Sequence, residues 1–87
     1  MTYEVRFSRS AKRALASELP EKVAAAAWSF IMGALCDNPQ RQGKQLKEPL
    51  FPLYSARRGE YRVIYRIVDD VLVIEIVTIA HRRDSYR

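Results

Sequence analysis

Cysteine, histidine and glycine are scarce in this sequence, and each scarcity removes a class of function. The single cysteine, Cys36, cannot close an internal disulfide. Its place among apolar, helix-forming residues reads as a small core side chain. A zinc site takes about four Cys, His or carboxylate ligands at suitable spacing, and one cysteine with one histidine, His81, does not supply them. Three scattered glycines leave no glycine-rich loop to cradle a phosphate. Carboxylates do not cluster either. Asp69 and Asp70 read as a solvated turn, while Glu75 and Asp84 stand apart, so two-metal phosphodiester chemistry lacks its ligands. The longest apolar run, Val23 to Trp28, is about six residues, far short of the roughly 20 that span a bilayer. The opening "MTYEVRF" alternates apolar and charged residues like a strand, unlike the apolar block of a signal peptide. A cytoplasmic chain that works without metal, cofactor or membrane is the expectation.

Positive charge is what the sequence has in excess. Its 87 residues suit one domain, 1–87, with a single modest core, and 48% hydrophobic with 29% charged residues is the balance of a globular chain. Net charge is +5. All the cations after Phe51 are arginines, and the lysines Lys12, Lys22, Lys44 and Lys47 come earlier. Arginine presents a planar fork of donors that matches phosphate oxygens, whereas lysine is a flexible point charge. Between Arg41 and Arg66 the only acids are Glu48 and Glu60. An RNA or DNA polyanion is the first partner such a distribution suggests, and an acidic protein the second.

Periodicity organises the chain. Tyr3, Val5 and Phe7 alternate with Glu4 and Arg6 as a half-buried strand. Ser8 or Ser10 can cap a short helix in which Ala11, Ala14 and Leu15 share a face, and Pro20 suits the first turn of the next. There Val23, Ala27, Phe30, Ile31 and Ala34 recur at helical spacing, with Trp28 and Leu35 widening the stripe, until Asn38-Pro39 stops it. Asn38 to Pro52 lacks clear periodicity and reads as a loop carrying Lys44 and Lys47. Three strand-like runs follow, Leu53 to Arg58, Tyr61 to Val68 and Val71 to Ala80, joined by turns short enough to require antiparallel neighbours. The predicted class is α+β: a small antiparallel β-sheet, elements in the order β-α-α-β-β-β, with an N-terminal helical hairpin packed on one face.

Strand parity sorts the side chains of the middle run. Tyr61, Val63, Tyr65 and Ile67 point one way, as core under the helices, and Arg62, Ile64, Arg66 and Val68 the other. Surface arginines on a basic domain commonly only solvate it, and Arg58, Arg66, Arg83 and Arg87 fit that reading. Arg62 has neighbours by parity, and Arg82 belongs to a second cationic cluster, "HRRDSYR", with Tyr86 beside it. His81 suits a hydrogen-bonded surface role as well as that of an acid or base. Such a set can cleave RNA with the substrate's own 2′-hydroxyl as nucleophile. The protein then orients that hydroxyl, stabilises charge on the phosphorane and assists proton transfer.

The stretches "GKQLKEPLFPLYSARRGEYRVIYRI" and "IAHRRDSYR" resemble the RelE/ParE superfamily of toxins from bacterial toxin–antitoxin pairs, and more closely its RelE branch. The likeness covers nearly the whole chain. It implies a small antiparallel sheet with a helical hairpin on one side, and an endoribonuclease that enters the ribosomal A site and cuts mRNA, leaving a 2′,3′-cyclic phosphate and a 5′-hydroxyl. By the same resemblance Arg62 stabilises the transition state, Arg82 binds phosphate or gives a proton to the leaving oxygen, and Tyr86 stacks on or orients a base. Arg57 matches a frequently basic position, and Lys44, Lys47, Arg58 and Arg83 are further candidates for RNA contact. Where the best-studied branch carries two lysines before the turn, this chain has Leu53 and Ser55, which leaves His81 or Lys44 as the candidate base. The partners implied are a RelB-like cognate antitoxin, the ribosome with its mRNA, and operator DNA only through the antitoxin complex. Two alternatives stay open: a ParE-like inhibitor of DNA gyrase, and a degenerate toxin that binds without cutting.

Overall fold

The computed structural model describes residues 2–82. Elements follow in the order β1 (Glu4–Phe7), α1 (Arg9–Arg13), α2 (Glu21–Phe30), α3 (Pro39–Gln42), β2 (Lys44–Gln45), β3 (Tyr54–Arg58), β4 (Tyr61–Val68) and β5 (Val73–His81). Helices α1 and α2 each run on into a wider, π-type turn, at Ala14–Glu18 and Ile31–Leu35. Ser8 starts α1: its backbone is extended and its hydroxyl oxygen accepts from the Ala11 N–H at 3.0 Å. Ala11, Ala14, Val23, Ala27, Ile31 and Leu35 of the helices bury against Val63, Tyr65, Ile74, Ile76 and Ile79 of the sheet. Trp28 does not join that stripe. It is 48% exposed and stacks on Phe7 with ring centroids 5.6 Å apart.

The five strands lie in the order β1-β5-β4-β3-β2. The sheet is mixed, which corrects the expected all-antiparallel one: β1 pairs parallel with β5, and the other pairs are antiparallel. The α+β class stands, but the order gains a helix and a strand. Residues 39–45, expected as loop, form α3 and β2, which are too short to show any period. At the far end of β4, Asp69–Val71 make a 3₁₀ turn and Leu72 takes a positive φ of 54°, so β5 begins at Val73 and not at Val71.

One residue re-aims the end of β5. Ile64 pairs with Thr78 but Tyr65 with Ile76, so Val77 is an extra residue, a β-bulge. Before it the even-numbered Ile74 and Ile76 share the core face with Ile67 and Tyr65, and after it the odd-numbered Ile79 and His81 share it with Val63 and Tyr61. The bulge is anchored by the helix cap: the Ser8 hydroxyl donates to the Val77 carbonyl while the Ser8 N–H donates to Ile76 O.

Tyr65 is the largest fully buried side chain. It stacks on Tyr54, and its hydroxyl donates to Pro39 O at 2.6 Å, which fixes the start of α3 to the sheet. Burial pushes its phenol up to about 12, with the neighbouring Tyr54 adding to the rise and Arg58 opposing it. A raised phenol stabilises the fold wherever the unfolded phenol, titrating near 10, is still neutral, and that stability is lost as pH rises from there through about 12. Alkaline titration is therefore expected to cost roughly 2–3 kcal/mol between those limits. Denaturant melts of Tyr65→Phe against wild type check it, since the variant should lack this part of the alkaline decline.

Candidate functional site

The site is built on the β3–β4 hairpin. Its two-residue turn, Gly59-Glu60, sets Gly59 at a φ of +50°, a backbone region glycine enters without strain. The register that follows places Arg57 directly opposite Arg62. Cross-strand partners share a face, and because Val63 is buried among the core residues, these two guanidinium groups lie on the face away from the helices. Arg82 closes the group from β5, where its backbone N–H donates to Glu60 O at 2.6 Å and extends the β4–β5 register by one step. Arg57, Arg62 and Arg82, with Gly59 and Tyr61, line one narrow crevice. Arg62 carries a cost in stability, because its Nε is buried and has no hydrogen-bond partner among the described residues.

Beside the crevice a cleft of about 470 Å³ is lined by Gln42, Lys44, Leu46, Ser55, Arg57, Arg58 and Arg62. Lys44 enters it from β2, directly across from Ser55. Ser55 alternates with Ala56 and shares its side of β3 with Arg57, so Lys44 and the Arg57–Arg62 pair stand on the same face. Among the described residues no group of His, Cys, Asp and Glu could hold a metal ion, and no helix is long and apolar enough to cross a membrane.

This geometry sits in a chain whose residues 5–86 match a protein family described as the ParE toxin of the type II toxin–antitoxin system, parDE. The chain belongs to the RelE/ParE toxin family. Toxin RelE of Mycobacterium tuberculosis is 49% identical to this toxin over 85 residues, covering 98% of this chain and 87% of that one. Toxin RelG of the same organism is 44% identical over 87 residues, covering 100% and 99%. Among solved structures, the toxin–antitoxin complex RelBE2 of M. tuberculosis matches with a TM-score of 0.90 and 41% identity over 94% of this chain and 100% of that one. A free double arginine-to-alanine mutant of Escherichia coli RelE has the same fold, with a TM-score of 0.75 at 17% identity over 98% and 88% of the two chains.

The fold of this RelE/ParE toxin divides the candidates drawn from its sequence. Arg57, Arg62 and Arg82 come together in the crevice, and Lys44 lines the adjoining cleft with Arg57 and Arg62. Arg66 lies on the same face as Arg62, but its Nε donates to Glu75 Oε1 at 2.8 Å and the two form an ion pair. Arg58 borders the cleft, yet its guanidinium turns toward the helices and stacks over the Phe30 ring, 4.9 Å from its centroid. Lys47 is exposed in the turn between β2 and β3 and is not among the residues lining the cleft. His81 pairs with Tyr61 and therefore lies on the helical face, in a cleft with Pro20, Glu21, Lys22, Val23 and Glu60. It and Arg62 are on opposite sides of the sheet. Tyr61 itself is core, its hydroxyl donating to Ala26 O at 3.3 Å and its phenol pushed up by burial, against a lowering by Arg58. Arg83 and Tyr86 lie outside the described residues. The sequence reading missed Gln42 and Gly43, which hold β2 in place. Nothing in a short aperiodic segment marks them.

Proposed function

We propose that this toxin is a ribosome-dependent mRNA endoribonuclease that works without metal, cutting in the A site by attack of the substrate's 2′-hydroxyl and leaving a 2′,3′-cyclic phosphate and a 5′-hydroxyl. The observation that carries the reading is the convergence of Arg57, Arg62 and Arg82 on one crevice, with an Arg62 Nε that has no partner among the described residues, beside a lysine on the same face. Arg62 is positioned to hold a non-bridging phosphate oxygen as charge builds on the phosphorane. Arg82, at the strand end, contacts the phosphate or gives a proton to the departing 5′-oxygen, and Arg57 holds a neighbouring phosphate. Lys44 is the better candidate than His81 for exchanging a proton with the 2′-hydroxyl, because it lies on the arginine face. It supplies from β2 the amine that Ser55 cannot. Tyr86 is the candidate for stacking on or orienting a base, and Arg83 and Lys47 for peripheral RNA contacts.

A RelB-like antitoxin is the proposed inhibitor, since two structures matched above 25% identity are the toxin–antitoxin complex RelBE2 and an archaeal RelE–RelB complex from Pyrococcus horikoshii. Operator DNA is reached only through that complex. Primer extension on a defined message, with purified toxin and with or without programmed ribosomes, tests the activity. In-frame cuts that need ribosomes support it. An intact message with folded toxin and active ribosomes overturns it and directs attention to gyrase supercoiling, the target of a ParE-like inhibitor, and to a degenerate toxin that binds without cutting. Within the same assay Arg82→Ala is expected to lower the cleavage rate at least about tenfold with an unchanged circular-dichroism spectrum. Wild-type cleavage by that folded variant removes Arg82 from the mechanism.

A further inference from the structure

Arg58 directs its guanidinium donors to groups within the chain. Its Nη2 donates to the Gln42 carbonyl at 2.8 Å and to Gln42 Oε1 at 3.0 Å, and its Nη1 donates to the carbonyl of Arg57 at 2.8 Å. The Phe30 ring lies against the guanidinium. Gln42 is two residues before Lys44, and β2 is only two residues long, with Lys44 set against Ser55 and Gln45 against Tyr54. A pairing that short does not hold itself in water. It is held from outside: at its start by Arg58 on Gln42 and by Tyr65 on Pro39, and at its end by the Leu46 N–H bonded to Leu53 O at 2.8 Å.

We infer that Arg58 is a positioning residue that acts through Lys44, fixing β2 so that the lysine stands in the cleft beside the arginine crevice, and is not an RNA ligand. The planar fork suits this task, because one guanidinium serves Gln42 and Arg57 together, tying the approach to β2 to the strand that carries a phosphate-binding arginine. The inference rests on the nuclease reading above for its consequence in cleavage, and on hydrogen bonding alone for its structural part.

The test uses Arg58→Met, which keeps an apolar stem on Phe30 and removes the donors, alone and combined with Lys44→Ala. Single-turnover cleavage on saturating programmed ribosomes should fall about tenfold or more in Arg58→Met, because a small displacement of a reacting group is costly. Toxin binding to the ribosome should stay within about twofold. In the Lys44→Ala background the same change should lower cleavage no further, the non-additivity expected when one residue acts through another. Additive losses, or a fall in ribosome binding in place of rate, would overturn the inference and return Arg58 to the RNA-contacting set. Hydrogen exchange supplies an arm independent of activity: Arg58→Met should speed exchange at Lys44, Gln45 and Leu46 while β4 and β5 keep their protection. Unchanged exchange there sinks the inference even if cleavage falls. If wild-type toxin leaves message intact, the nuclease reading fails, and the exchange arm still decides whether Arg58 holds β2.

Discussion

Arg62→Ala is expected to lower ribosome-dependent cleavage by about 100-fold or more, the loss typical of removing one donor aimed at developing charge. The fold should not suffer. In the wild type the Arg62 Nε is buried without a partner among the described residues, and its guanidinium stands across from that of Arg57. An unsatisfied buried donor costs about 1–3 kcal/mol. That cost disappears in the alanine variant, which should melt at the wild-type temperature or slightly above it. Arg62→Lys keeps the charge but not the fork, and should not restore the rate. Single-turnover cleavage and thermal melts on the same preparations decide the matter. A variant that cuts normally, or one that loses rate only because it has lost stability, contradicts the assignment.

Gly43→Ala has the largest expected effect on structure. A Cβ at Gly43 would lie 2.6 Å from the carbonyl oxygen of Ser55 and 2.6 Å from the hydroxyl of Tyr65. Neither can give way easily, since one is strand backbone and the other is a buried phenol bonded to Pro39 O. The methyl group must push β2 off β3, at an expected cost of about 1–3 kcal/mol from overpacking, and it carries Lys44 with it. Melting temperature and cleavage should therefore fall together. Gly33→Ala is the control: its Cβ would meet nothing within 4 Å, so it should leave stability unchanged or improve it. Equal behaviour of the two variants would show that the close approach at Gly43 is not what seats β2.

Much of this was legible in the residues, for identifiable reasons. Ser8 carries its helix cap in a single side chain, and helical spacing in Val23, Ala27 and Ile31 predicts the buried face of α2 that the structure has. Alternation along Tyr61 to Val68 separates Tyr61, Val63 and Tyr65, all buried, from Arg62 and Arg66 without any tertiary information. These are local periodicities, and a strand or helix expresses them whatever surrounds it. The family likeness was equally legible, because "ARRGEYRVIYRI" sits on a hairpin whose turn and register are local.

Tertiary structure decided the rest. Local pattern contains nothing that tells β1 to run parallel to β5, the last strand, since that pairing joins the two ends of the described chain. Seven residues from Pro39 to Gln45 have no period of their own and become α3 and β2 only through Tyr65, Arg58 and the space left by Gly43. The consequence reaches the site: Lys44, a candidate base that the sequence leaves on a loop with no defined face, stands opposite Ser55 on the arginine face. Val77 did the same for β5. Its bulge exchanges odd and even faces, turning His81 to the helices and leaving Arg82 in register to close the crevice with Arg57 and Arg62. A one-residue slip flips every side chain beyond it, and whether a strand slips is set by its partners across the sheet, here β4 and the Ser8 hydroxyl, so its own sequence does not reveal it.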